Sequence, residues 1–194
     1  HTIYCARVPH TRTSLDRLLL LTGAAVVLGF GGGGAAWVLL HLIGLITNVA
    51  LFGHVGWHPP TFRHLDVGPR IWIAATLGAF AVSALAKWSP VIRGHGIPEA
   101  MEVVLTKRSR IAPRTAIAKP VSAAIAIGTS APFGAEGPII VTGGAIGSLL
   151  GQVIHVSAAE RKILLACGAA AGMSATFGAP LASVLLAVEL LLFE

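Results

Sequence analysis

Two short motifs rich in glycine and proline carry the residue types that could bind an anion. They read Gly94-His95-Gly96-Ile97-Pro98-Glu99 and Gly134-Ala135-Glu136-Gly137-Pro138. In each motif a glycine-rich bend precedes a proline, which is favoured in the first turn of a helix. The start of a helix leaves backbone N–H groups without partners and carries the positive end of the helix dipole. Each motif therefore predicts a position that attracts an anion.

The carboxylate of Glu136 is the charged group that most needs an explanation. It lies in apolar sequence at the predicted start of a helix, and a charge within a membrane segment is costly and often functional. One interpretation is a cap, in which the carboxylate accepts hydrogen bonds from N–H groups of its own helix. The other is a gate, in which the carboxylate competes with a permeating anion for those N–H groups. Both interpretations stay open on the chemistry alone.

Long stretches without charge surround these motifs and define the class of protein. No charged residue occurs in 18–62, in 137–159 or in 163–188. Such stretches reach or exceed the roughly 20 residues that cross a bilayer. Hydrophobic residues make up 55% of the chain and charged residues 11%, which excludes a disordered chain and disfavours a soluble domain. We therefore expect an integral, multi-pass membrane protein.

The net charge of +6 does not indicate a nucleic-acid partner, because the basic residues flank the apolar stretches. They cluster before the first stretch, in the loop 107–114 and at 161–162. Under the positive-inside rule the N-terminus and the loop 107–114 are cytoplasmic, and the segment 53–70 lies outside. The lipid bilayer is thus the expected environment, and which membrane is left open.

The hydrophobic segments predict an all-α chain whose helices are tilted, short or broken by glycine and proline. The expected helices cover about 18–50, 70–88, 97–106, 114–129, 137–153, 159–175 and 180–194. Glycines at 143, 147 and 151 recur every four residues and predict a close-packing helix face. Irregular backbone at membrane depth is tolerated where it lines a cavity, so this pattern suits a transporter with discontinuous helices.

The two motifs resemble the GSGIPE and GREGP signatures of the CLC family of voltage-gated chloride channels and proton/chloride exchangers. A third part of the sequence supports the resemblance, since it looks like the family's segment before and through the helix at its subunit interface. It comprises Ala169-Ala170-Ala171-Gly172, Phe177-Gly178-Ala179-Pro180-Leu181-Ala182 and Glu189. The three parts follow in the family's order and spacing, so the resemblance extends from about Leu18 over nearly the whole chain.

The resemblance implies a membrane fold of two inverted halves, of which this sequence resembles the first. The second half, with its GxFxP motif and anion-contacting tyrosine, is absent from the sequence. The family's homodimer has one anion pathway per subunit, so a homodimer and bound chloride are expected. By matched position Glu136 is the gating glutamate. The anion-binding positions are Gly94, His95, Gly96, Ile97, Pro98, Gly134, Ala135, Gly137 and Pro138.

Three positions depart from the family pattern. His95 replaces a serine and could donate a hydrogen bond to the anion, or contribute only its backbone. Ala135 replaces an arginine, which removes positive charge near the outer mouth. Leu190 follows Glu189 at the position of the proton-transfer glutamate of the exchangers. Because leucine cannot relay a proton, the sequence favours a passive chloride channel gated by Glu136.

Several other functions compete with the passive chloride channel. The alternative within the family is a proton-coupled chloride antiporter, and a fluoride-selective transporter or a membrane protein outside the family fits less well. No enzyme is expected, because no nucleophile or metal constellation is recognisable. His54 and His58 are four residues apart, but the intervening Gly56 argues against a helix, and no third ligand is evident, so neither a metal nor a cofactor is expected.

Overall fold

A computed structural model of the chain describes residues 15–61, 68–88, 92, 98, 101–103 and 109–192. Within these residues the regular elements are all helical, which confirms the all-α prediction. The α-helices are α1 (Leu15–Thr47), α2 (Pro69–Trp88), α3 (Pro113–Gly128), α4 (Glu136–Val153), α5 (Ala158–Phe177) and α6 (Pro180–Ala187). Single π-helical segments, Asn48–Phe52 and Val188–Leu192, extend α1 and α6.

Two of the described helices are long and apolar enough to cross a membrane. They are α1 together with its π-helical extension, 38 residues in all, and α2, with 20 residues. Helix α1 starts three residues before the predicted position and so includes Asp16 and Arg17, and its extension ends two residues after the predicted end, within uncharged sequence. The predicted helix over 97–106 lies largely outside the described residues, although Pro98 and 101–103 are helical.

Helices α4 and α5 pack closely against each other, and glycine residues make this short distance between their backbones possible. A Cβ added at Gly143 would lie 2.9 Å from the carbonyl carbon of Gly168, and a Cβ at Gly147 would lie 2.7 Å from that of Leu164. Neither position could hold a side chain without moving a helix backbone. The glycines of α4 thus form its contact face with α5, and Leu165 and Ala169 of α5 are buried in the apolar core.

Helix α1 packs across the same pair through one of its four consecutive glycines. A Cβ at Gly32 would lie 2.7 Å from the Cβ of Ala171 on α5, whereas Gly33 and Gly34 have no heavy atom within 4 Å of such a Cβ. The glycine run therefore contains one close-packing position. Further along α1, Leu39 and Ala36 contact α3 and α4 in a second buried cluster.

The ends of several helices meet at one end of the bundle. The side chain of Ser157 caps α5 in a reciprocal arrangement with Glu160, and Arg17 at the start of α1 forms an ion pair of 3.3 Å with Glu160. Ser148 near the end of α4 donates to the Ser109 carbonyl at 2.6 Å. These contacts bring the start of α1, the segment 109–111 and the start of α5 together, and with them the basic residues of each.

Candidate functional site

A cavity of about 510 Å³ lies between α2, α3 and the start of α4. Pro98 from the first motif lines it, and so do Gly134, Glu136, Gly137 and Pro138 from the second. The rest of the wall is mostly apolar. Its polar members are Lys119 and Ser122, and the others are Val82, Ile92, Ala123, Ala126, Ile127, Phe133 and Ile140. The fold thus brings parts of both glycine-proline motifs to one cavity, although they are far apart in the sequence.

Helix α4 begins at Glu136, and its first turn forms part of the wall of this cavity. Ala135 precedes the helix and its carbonyl accepts a hydrogen bond from the Ile139 N–H at 3.1 Å. Helix geometry leaves the N–H groups of Glu136 and Gly137 without intrahelical acceptors, and Pro138 has no N–H to satisfy. The first turn therefore offers two free donors and a positive dipole end, the features that favour an anion.

The side chain of Glu136 folds back over Gly134. A Cβ added at Gly134 would overlap the Glu136 carboxylate, both its carbon and its oxygens. Only glycine leaves that space free. Glu136 is exposed, and within the described part of the chain no hydrogen bond joins its carboxylate to the N–H groups of α4. The carboxylate is thus close to the helix start without capping it.

The structure describes only some of the other predicted site residues. Gly94, His95, Gly96 and Ile97 lie outside the described residues, so their part in anion binding stays a prediction. Ala135 packs against the buried cluster formed by α1, α3 and α4 rather than lining the cavity. The anion-binding roles of Gly134, Gly137 and Pro138 also stay predictions, now with a shared cavity that supports them.

Leu190 lies on the π-helical segment after α6 and does not line this cavity. Its side chain is partly buried and packs against the apolar cluster that includes Ile140, Met173 and Leu191. The neighbouring Glu189 is exposed. Leucine offers no titrating group, and that position 190 cannot relay protons stays a prediction.

Lys119 is a residue of the cavity wall that sequence reasoning missed. It lies on α3 and only 5% of its surface is exposed, yet it lines the same cavity as Glu136. One turn on, buried Ser122 also lines the cavity, and its hydroxyl donates to the Lys119 carbonyl at 3.0 Å. The signal was present in the sequence, because Lys119 is the one charged residue within the otherwise uncharged stretch 115–135.

Comparison with known proteins places the chain in a family. The family model described as "Voltage gated chloride channel" matches residues 77–194. The chain belongs to this family. The matched range includes both glycine-proline motifs and all the described residues that line the cavity, Lys119 among them.

Similar proteins within the family carry the names of exchangers and of a channel. The chain is 31% identical to "H(+)/Cl(-) exchange transporter ClcA" of Cronobacter sakazakii, over 92% of this chain and 37% of the relative. For the protein of that name from Yersinia pestis the identity is 32%, over 94% of the chain and 37% of the relative. "Chloride channel protein clh-3" of Caenorhabditis elegans is 26% identical over 65% of the chain and 14% of the relative. No solved structure matches significantly.

The chain thus spans just over a third of the length of the ClcA relatives it matches. The names of those relatives favour the antiporter alternative over the passive channel that Leu190 suggested.

Proposed function

We propose that this chain forms part of the anion pathway of an integral membrane protein that exchanges chloride, or a similar small anion, for protons. The observation that carries the proposal is the cavity, which the first turn of α4, Glu136 and the buried Lys119 line together. Proton exchange is included because both ClcA relatives are named as exchangers.

Glu136 is the gate in this proposal. Its carboxylate lies beside the donors that an entering anion would use, and Gly134 leaves room for it there. Only one negative charge can use those donors at a time without strong repulsion. In the structure the carboxylate makes no hydrogen bond to these donors; in the proposal it closes the pathway when it moves onto them and leaves them to an anion when it is protonated, so the same group couples anion entry to proton uptake.

A passive chloride channel is the second candidate, and Leu190 is the observation that favours it. A buried proton path usually needs an ionisable group or a chain of ordered waters. Leu190 supplies no titrating group and packs against an apolar cluster. In the exchanger, water must therefore carry protons past this position.

The resemblance also suggests a homodimer with α6 at the subunit interface. Apolar side chains on this helix are exposed, with 81% of Leu181 and 69% of Leu185 accessible. The basic residues gathered at one end of the bundle support a cytoplasmic N-terminus under the positive-inside rule.

One transport experiment separates the two candidates. Full-length protein in liposomes receives a chloride gradient while potassium and valinomycin clamp the membrane potential, and chloride and proton movements are recorded together. The exchanger drives protons uphill at a fixed ratio to chloride, and Glu136→Gln abolishes that proton movement. Chloride flux without protons identifies the channel. Absence of any chloride flux in folded, reconstituted protein contradicts the proposed function itself.

A further inference from the structure

Two histidine rings lie side by side near the end of α1, outside the cavity of Glu136. His41 belongs to α1 and His58 to the segment 53–60 that follows its π-helical extension, and their ring centroids are 6.1 Å apart. The spacing in the sequence paired His58 with His54, but the ring of His54 lies beside that of Phe52, at a centroid distance of 6.1 Å. The fold therefore joins two histidines that the sequence pattern did not connect.

The backbone of His58 is fixed against α1 by two residues of that helix and its extension. The buried side-chain amide of Asn48 donates to the carbonyls of Gly56 and His58, each at 2.8 Å. Gly44 leaves the space for this approach, because a Cβ added there would lie 3.2 Å from the His58 carbonyl carbon. Gly44 is three residues after His41 and so shares a helix face with it. The position of His58 beside His41 is thus set by the packing of the segment on α1.

The ring of His41 is held in the manner of a metal ligand. Its Nδ1 lies 2.8 Å from the Trp37 carbonyl oxygen. A carbonyl oxygen can only accept, so Nδ1 carries the proton and donates, and Nε2 of the neutral ring keeps its lone pair. Histidines that bind metals almost always donate their other ring N–H to a carbonyl or a carboxylate, which orients the ring and raises the basicity of the ligating nitrogen.

The separation of the two rings matches the size of a shared metal ion. Zinc lies about 2.0–2.1 Å from an imidazole nitrogen, and hence about 3.2 Å from the centre of the ring. Two imidazoles on one ion therefore have centroids about 5–6.5 Å apart, a range that includes the observed 6.1 Å. The side chain of His58 is exposed, so its ring can rotate and present a nitrogen to an ion that Nε2 of His41 also binds.

From this geometry we propose that His41 and His58 together bind a divalent transition-metal ion such as Zn²⁺, which links the segment 53–60 to α1. Imidazole nitrogen suits zinc, copper and nickel rather than calcium or magnesium. The described residues contain no group of three or more potential ligands, so water completes the coordination and binding is weaker than at a four-ligand site. The proposal concerns this pair alone and does not rest on the anion pathway.

The test measures Zn²⁺ affinity by titration calorimetry on full-length protein purified in detergent and freed of metal with a chelator. His41→Gln and His58→Gln each remove one ligand, and His54→Gln is the matched control in the same segment as His58. The double variant His41→Gln/His58→Gln gives the background from zinc sites elsewhere in the protein. We expect each single ligand variant to weaken Zn²⁺ binding about tenfold or more, and His54→Gln to change it less than about twofold.

A second measurement separates a metal ligand from a histidine that only supports the fold. Zinc that binds the folded protein should raise the unfolding midpoint in mixed SDS micelles. Wild-type protein and His54→Gln should show this shift, and both ligand variants should lose it. His41→Phe keeps a ring beside Trp37 and removes the ligand, so it replaces His41→Gln if that protein folds poorly.

Three results would overturn the proposal. The first is wild-type Zn²⁺ binding no stronger than that of the double variant. The second is a loss of affinity when His58 is replaced but not when His41 is replaced, or the reverse. The third is an equal loss for His54→Gln and His58→Gln, which would assign the ion to the pair that is adjacent in sequence. A His41 variant that lowers the unfolding midpoint but keeps the full zinc shift would likewise leave His41 a structural residue and refute its role as a ligand.

Discussion

The contact between α4 and α5 allows a sharp test, because neighbouring glycines on α4 face very different surroundings. A Cβ at Gly143 would overlap the carbonyl oxygen of Gly168 and lie 2.9 Å from its carbon. A Cβ at Gly144 would meet Leu165 Cδ2 at 3.4 Å, which is an ordinary contact. Gly143→Ala should therefore destabilise the protein, and Gly144→Ala serves as its matched control.

The magnitude follows from the distances. Carbon atoms pack at about 3.5–4.0 Å, so an alanine at 143 forces the two helices apart by roughly 0.6–1 Å. Overpacking of this kind costs about 1–3 kcal/mol. At 144 the methyl group fits, and replacing glycine by alanine within a helix contributes up to about 1 kcal/mol of stability. Because that gain applies at both positions, we expect the free energies of unfolding of the two variants to differ by the overpacking cost alone, about 1–3 kcal/mol.

The assay is unfolding of purified full-length protein in mixed micelles of increasing SDS fraction, followed by tryptophan fluorescence. Both variants carry the same added methyl group on the same helix, so differences in propensity cancel. Equal unfolding midpoints for Gly143→Ala and Gly144→Ala, or the reverse order, would refute the packing argument for this helix pair.

Three further predictions concern the gate and two polar contacts. Gly134→Ala should push the Glu136 carboxylate aside because the flexible side chain moves more easily than the backbone, so chloride flux should depend less on external pH; an unchanged flux–pH profile would contradict this. Ser148→Ala should lower the unfolding free energy by about 2–4 kcal/mol, since it strands a buried carbonyl and N–H of segment 109–111, and a loss under about 0.5 kcal/mol would count against that role. Asn48→Asp should cost about 1–3 kcal/mol in the same assay, because it removes the amide donor to the carbonyls of Gly56 and His58, and wild-type stability would argue that these bonds are unimportant.

Much of the fold followed from local sequence. Uncharged runs longer than a bilayer crossing predict membrane helices whatever their partners, and the first helix was placed within a few residues on that basis. The breaks before Glu136 and before Pro180 were also predicted, because glycine and proline act on the backbone at their own positions. The glycine ladder at 143 and 147 predicted a packing face, although its partner could not be read from it.

One expectation from the sequence, the passive channel, differs from what the names of the relatives favour. The sequence favoured a channel because of Leu190, but the relatives that match over nearly all of the chain are named exchangers. One side chain at one position indicates which group is missing there, and it carries no information on water paths or on groups elsewhere in a longer protein.

The sequence by itself determined the class of protein, the helical architecture and the two motifs, because hydropathy and backbone preferences are local properties. The tertiary structure decided which of these parts meet. Lys119 is an isolated charge in the sequence, and it reaches the cavity of Glu136 only because α3 and α4 pack on either side of it. Such a meeting depends on how helices cross, which is set by contacts between residues far apart in the chain and not by the pattern along any one helix.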